Sequence, residues 1–153
     1  GIVVTLVYLI MSAVKTGQSI NAGAIGQTLR TLCFSKNTLI KLKNGDLVKI
    51  KDINLGDTLE NGAEVFGLLR LKGDNVNPYY RLWSDKLKKY ILVTGSHKIC
   101  PNENRKDDLD NYIEIKDHPH AEKTGLFDKV LYCLITSNHQ IPIGEYTFWD
   151  WED

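Results

Sequence analysis

Thr38-Leu39-Ile40-Lys41-Leu42-Lys43-Asn44-Gly45-Asp46-Leu47-Val48-Lys49-Ile50 decides the fold class of this chain. Thr38 to Leu42 alternates with the period of a strand that buries one face. Asn44-Gly45 then supplies two residues that tolerate positive φ, a strong hairpin turn signal, and Leu47 to Ile50 continues on the far side. The stretch predicts a short β-hairpin.

The same texture continues outward from it. Ile53 to Leu59 is broken by a turn at Gly56-Asp57, and Asn61-Gly62 gives a second turn signal. Val65 to Leu71, Tyr79 to Trp83, Tyr90 to Thr94, Asn111 to Lys116, Val130 to Thr136 and Glu145 to Trp151 are further strand candidates. Pro101 to Asn111 reads as a polar loop whose tip carries Asp107, Asp108 and Asp110. Many short strands with little helical periodicity predict an all-β domain. Upstream the pattern differs: residues 16–24 read as a small, polar linker. Ile25, Leu29 and Leu32 fall at helical spacing, weakened by Gly23 and Gly26.

A length of 153 residues suits one domain with a real core, and 42% hydrophobic and 25% charged residues are ordinary for a globular protein. Net charge is zero, which gives no electrostatic case for nucleic acid or an acidic substrate. The balance is uneven along the chain. Residues 1–32 hold Lys15, Arg30 and no acid, leaving 17 basic and 19 acidic side chains in residues 33–153. The sequence therefore divides into an N-terminal segment, 1–32, and a domain, 33–153.

The start, Ile2 to Val14, is almost continuously apolar and ends at Lys15. A membrane helix needs about 20 such residues, so the run is too short alone. Because the sequence opens on Gly1, the run reads either as the end of a membrane helix with Lys15 on the cytoplasmic side, or as a buried helix or strand. No basic stretch precedes it, which disfavours a signal peptide. Cys33, Cys100 and Cys133 are odd in number and irregularly spaced, against a disulfide framework and in favour of a reducing compartment or one thiol kept free. Cys100, Cys133 and a histidine are zinc-ligand types without zinc-ligand spacing.

Cys33 stands at the compositional boundary and carries the chemistry. A thiol one residue after the Leu32 carbonyl can attack it through a five-membered intermediate. Intramolecular attack of this kind reaches effective concentrations of about 10⁵ M or more. The chain would then act on its own backbone at Leu32–Cys33, with residues 1–32 as cargo. Downstream, Val93-Thr94-Gly95-Ser96-His97 offers two helpers. Gly95 permits a sharp turn, the Thr94 hydroxyl can polarise the amide, and a histidine titrating near neutrality can protonate the leaving nitrogen.

Cys33-Phe34 with Thr38 and Ile40, then Gly56-Asp57 with Leu59, then Val93-Thr94 with His97, resembles the Hint superfamily of hedgehog autoprocessing domains, inteins and bacterial intein-like domains. Leu131 to Thr136 followed by Asn138-His139 is similar to that family's late strand block. The matches span Cys33 to about Gly144. The resemblance implies a β-horseshoe of two pseudo-symmetric halves, here behind an N-terminal helical or membrane-proximal segment. It also implies an N–S acyl shift that turns the Leu32–Cys33 amide into a thioester. Thr94 and His97 match the activating residues, Cys133 a late-block position, and His139 the histidine that assists C-terminal steps of inteins. Inteins end in His-Asn, whereas Asn138-His139 is reversed and internal and no asparagine follows it. N-terminal cleavage, or transfer of residues 1–32 to water or a thiol, is therefore expected rather than splicing. No sterol-binding region is visible, and no cofactor or metal is implied.

Other readings of the same residues stay open. Cys133 also suits an apolar core strand, Cys100 reads as structural, and Gly56-Asp57 as a turn. His118 and His120 resemble half a metal site but fit a solvated loop. Trp149 and Trp151 fit a core or an interaction surface. The alternative to autoprocessing is a slow or inactive Hint scaffold, anchored to a membrane through residues 2–14 and bound to assembly partners. Its concrete version is a virion component, since the sequence also resembles Hint domains encoded by giant viruses.

Overall fold

The structure is a computed structural model that describes residues 10–15, by their backbone, together with 32–73 and 76–151. Its strands are β1 (Ile10–Lys15), β2 (Leu39–Lys41), β3 (Leu47–Lys49), β4 (Val65–Lys72), β5 (Tyr79–Ser84) and β6 (Lys89–Thr94). They continue with β7 (Lys98–Ile99), β8 (Ile113–Glu114), β9 (Glu122–Lys123), β10 (Val130–Thr136), β11 (Gln140–Ile143) and β12 (Tyr146–Trp149). Helical structure among the described residues is confined to single 3-10 turns, so the domain is all-β as the sequence predicts.

Local chemistry explains the Thr38–Ile50 hairpin. β2 and β3 pair antiparallel, with Ile40 opposite Val48, and Gly45 between them adopts a φ of +96°. The Asn44 side-chain oxygen accepts from the Asp46 amide at 2.9 Å, stiffening the turn. At the second turn the Asn61 side chain accepts from Ala63 at 3.0 Å. Asp57 caps its own turn by accepting from the Asn54 amide at 2.9 Å. All three signals are turns.

The arrangement of the strands places Cys33 at the centre. One three-stranded unit has the order β1-β4-β10 and another the order β6-β5-β9. Phe34 bridges them, pairing antiparallel with Tyr132 of β10 on one side and Val93 of β6 on the other. Phe34 exchanges both backbone hydrogen bonds with Tyr132, at 2.7 and 3.0 Å. Toward β6, Ser35 N–H donates to Leu92 O at 3.2 Å and Thr94 N–H to Cys33 O at 2.9 Å. Cys33 to Ser35 is thus a short central strand that joins two sheets into one. Leu32, Cys33, Phe34 and Ser35 are all buried.

Two halves repeat one local architecture about Phe34 and Val93. The Thr38 amide donates to Ser35 O and the His97 amide to Thr94 O, both at 3.0 Å. Ile50 N–H donates to Thr38 O and Ile115 N–H to His97 O, both at 2.8 Å. The two isoleucines open matching 3-10 turns, Ile50-Lys51-Asp52 and Ile115-Lys116-Asp117. β2 on β3 and β7 on β8 keep the same register, Leu39 to Lys49 matching Lys98 to Glu114. Thr94 therefore stands where the first half has Ser35, and His97 where it has Thr38.

Some expectations need amendment. The predicted strand Asn111 to Lys116 shrinks to Ile113–Glu114, because its ends turn into 3-10 geometry at Leu109–Asn111 and Ile115–Asp117. β7, β9 and β11 are strands that the sequence pattern does not predict. β11 contains Pro142, which its edge position accommodates. At the N-terminus, residues 10–15 of the apolar run form an edge strand on β4, with Ala13 opposite Leu69, and not a helix. Residues 2–9, the linker 16–24, and Ile25 and Leu29 of the expected helix lie outside the described residues. Among the described residues no helix is long and apolar enough to cross a membrane. Trp149 and Trp151 are both buried.

Candidate functional site

Strand pairing sets the site before any side chain is considered. With Cys33 O accepting from the Thr94 amide, an ordinary ladder would return the Cys33 amide to a backbone carbonyl. Instead the Cys33 N–H donates to the Thr94 hydroxyl oxygen at 3.0 Å, in a buried position. The amide nitrogen of the Leu32–Cys33 bond is therefore held by a side chain, at the one residue where β6 runs into the Gly95 turn. Thr94 is 1% exposed.

His97 follows on the same turn. Its Nε2 lies 2.7 Å from the Trp149 carbonyl oxygen, so Nε2 carries the proton and donates. Nδ1 then bears a lone pair, and it is buried without a partner. Burial pushes the imidazole pKa down from 6.5 to about 4, opposed by the Trp149 hydrogen bond. His97 is thus neutral at pH 7, and the expectation of a histidine titrating near neutrality is corrected. Desolvation without a neighbouring carboxylate is the physical reason. The Phe34 ring packs against both His97 and Phe148, with ring centroids 4.4 Å and 5.1 Å away.

Cys33 is fully buried, and its thiol pKa is pushed well up by burial and then by hydrogen bonding to the Cys133 thiol, with a backbone contact at Leu32 opposing. Cys133 on β10 is buried as well, its sulfur 3.6 Å from the Leu134 carbonyl. Cys33 at rest is accordingly a protonated thiol. Cys100 lies in a separate cluster: it donates to Asn102 O at 3.0 Å and packs with Tyr112 and Trp149.

His139 sits apart, with its side chain 40% exposed. Its Nδ1 lies 3.2 Å from Asp150 Oδ1, and its ring stacks on Trp149 at 5.4 Å. Asp150 also accepts from the Thr136 amide at 2.8 Å, and its own amide donates to His139 O at 2.7 Å. The end of β12 consequently links the two histidines: the Trp149 carbonyl holds His97, while the Trp149 ring and the Asp150 carboxylate hold His139.

The structure thus brings Cys33, Thr94 and Cys133 together, places His97 on the adjoining turn, and connects His139 only through Trp149 and Asp150. Sequence reasoning missed Asp150, whose one signal is an acid between two tryptophans in an apolar finish. It also missed Tyr79, which faces Thr94 across β5 and β6 and donates from its phenol to Asp128 at 2.9 Å. Burial raises the Tyr79 pKa, followed by the hydrogen bond and charge of Asp128. Among the described residues no cluster of three His, Cys, Asp or Glu is placed to hold a metal. The His118 and His120 rings lie 5.8 Å apart, and the His120 amide donates to His118 Nδ1.

No family model and no curated protein matches the sequence. Among solved structures the chain is similar to a DnaB intein from Synechocystis sp. PCC 6803. The TM-score is 0.53 at 13% sequence identity, covering 77% of this chain and 97% of the intein. At that identity the likeness is one of fold. Together with the strand content and the repeated halves, it gives this domain a Hint-like all-β fold.

Proposed function

We propose that this domain cleaves its own chain at Leu32–Cys33 by an N–S acyl shift. The observation that carries the reading is the Cys33 amide held by the Thr94 hydroxyl at the centre of the sheet. In this mechanism the Cys33 sulfur adds to the Leu32 carbonyl carbon, giving a five-membered intermediate. Its proton passes to the unpartnered Nδ1 of neutral His97, which returns a proton to the departing Cys33 nitrogen. The C–N bond breaks, and Leu32 is left as a thioester on Cys33. Water or a thiol then takes the acyl group, freeing residues 1–32 from the new amino terminus at Cys33. Cys133 lies beside the sulfur throughout, and Thr94 fixes the amide nitrogen for protonation.

The reading is tested by incubating the protein with dithiothreitol near neutral pH and measuring intact mass under denaturing conditions. A fragment beginning at Cys33 is expected, with Cys33→Ala uncleaved and Thr94→Val slowed. A wild-type chain still whole after days with thiol overturns it.

A second reading, a Hint-fold scaffold that no longer cleaves, draws on the complete burial of Cys33 and the 6% exposure of Leu32. In that case the apolar residues 2–14 anchor the molecule at a membrane or in an assembly such as a virion. Detergent dependence lost on deleting residues 1–15 supports the anchor, and unchanged solubility removes it.

A further inference from the structure

Cys33 and Cys133 are opposite each other in a particular kind of strand pair. Phe34 and Tyr132 exchange both backbone hydrogen bonds, so the next antiparallel pair, Cys33 with Cys133, is of the non-hydrogen-bonded kind. Such pairs bring Cα atoms to about 4.5 Å with side chains on one face. Disulfides span Cα separations of about 4.4–6.8 Å, a range that a pair of this kind reaches. Both sulfurs are buried and neither is in a disulfide. Their surroundings are apolar: β10 lies against β4 with Cys133 opposite Leu69, and Leu134 is buried next to it.

We propose that Cys33 and Cys133 form a site for a cross-strand disulfide, made by exchange with a small-molecule disulfide such as oxidised glutathione. One protein thiolate attacks a sulfur of the reagent and expels one glutathione thiolate. The other protein thiolate attacks the mixed disulfide and expels the second glutathione. Two protein S–H bonds and the reagent's S–S bond are broken and one protein S–S bond forms, while the two electrons and two protons given up by the protein leave on two molecules of glutathione thiol. Because both sulfurs are buried in the closed sheet, exchange takes place while the central strand is unpaired, during folding or local opening. Once the sheet closes, the same burial shields the bond from reductant. A sulfur in this bond has no lone thiolate to add to Leu32, so the oxidised chain keeps its Leu32–Cys33 bond. That last consequence rests on the autoprocessing reading; the disulfide does not.

The full chain, refolded with oxidised glutathione, is alkylated in denaturant and digested without reductant. A peptide pair linking Cys33 to Cys133 is expected, with Cys100 alone alkylated and the intact chain about 2 Da lighter than its reduced form. Cys100→Ser keeps the link and Cys133→Ser removes it. Alkylation of all three cysteines in the wild type, or a link through Cys100, overturns the proposal, and neither result depends on a variant folding. Reduction then separates the two readings. A link that forms, followed by dithiothreitol treatment without cleavage, leaves the disulfide site standing and overturns the autoprocessing reading. Cleavage on reduction, delayed until the link is broken, supports both.

Discussion

His97 contributes stability only as a neutral ring. Burial holds its pKa near 4 in the fold against 6.5 in an unexposed-to-burial, free side chain. Below about pH 6.5 the unfolded chain therefore binds a proton that the folded chain refuses. The contribution is complete above the free value and is lost as pH falls from 6.5 toward 4, by up to about 3 kcal/mol. Urea denaturation at pH 7 and pH 4.5 should show this loss in the wild type and a smaller one in His97→Gln. Glutamine keeps an N–H for the Trp149 carbonyl but has no ring to protonate. Equal pH slopes in the two proteins would mean that other groups set the acid sensitivity. At this scale the sequence pointed to Cys33, Thr94 and His97 as candidates, because the motifs that carry the family resemblance are continuous in the chain. Their protonation states were not legible, since a pKa depends on what the fold packs around the ring.

The elements legible in the sequence are those long enough to show a period or, like the three-residue β2 and β3, those that flank a strong turn signal. Val130–Thr136 matches its predicted bounds, and Val65–Lys72 alternates buried and less buried residues along its length. Two-residue strands such as Lys98–Ile99 are too short for a period and exist only through their partners β8 and β12. The matched Ile-Lys-Asp turns were also invisible as a repeat, because three residues separated by a long variable stretch form no tandem pattern. The β11–β12 connection offers a test at this level. Gly144 has a φ of +58°, and a Cβ there would run into the Ser84 hydroxyl, which itself bonds Glu145. Gly144→Ala should cost about 1–3 kcal/mol in denaturation experiments by strain and overpacking. Gly45→Ala has the same φ problem but open space around it, so it should cost less.

At the scale of the molecule, the bond proposed for cleavage lies inside a continuous sheet whose edge strand, β1, belongs to residues 1–32. Breaking Leu32–Cys33 leaves the β1–β4 ladder untouched, with Ser12 to Lys15 still opposite Arg70 to Gly67. The two products should therefore migrate as one particle in native size-exclusion chromatography and separate only in denaturant. Ser12→Pro with Ala13→Pro removes adjacent amides, one of which faces β4, and should let the fragment leave after cleavage. Immediate separation of the wild-type products would show that the edge pairing is too weak to hold them. The same connectivity has a mechanical side. A pull on the amino terminus reaches the β1–β4 ladder before it reaches Leu32, and the body of the domain takes up the load there. The edge strand acts as a strain relief: tension stretches the Leu32–Cys33 segment only after β1 has been torn from its neighbour.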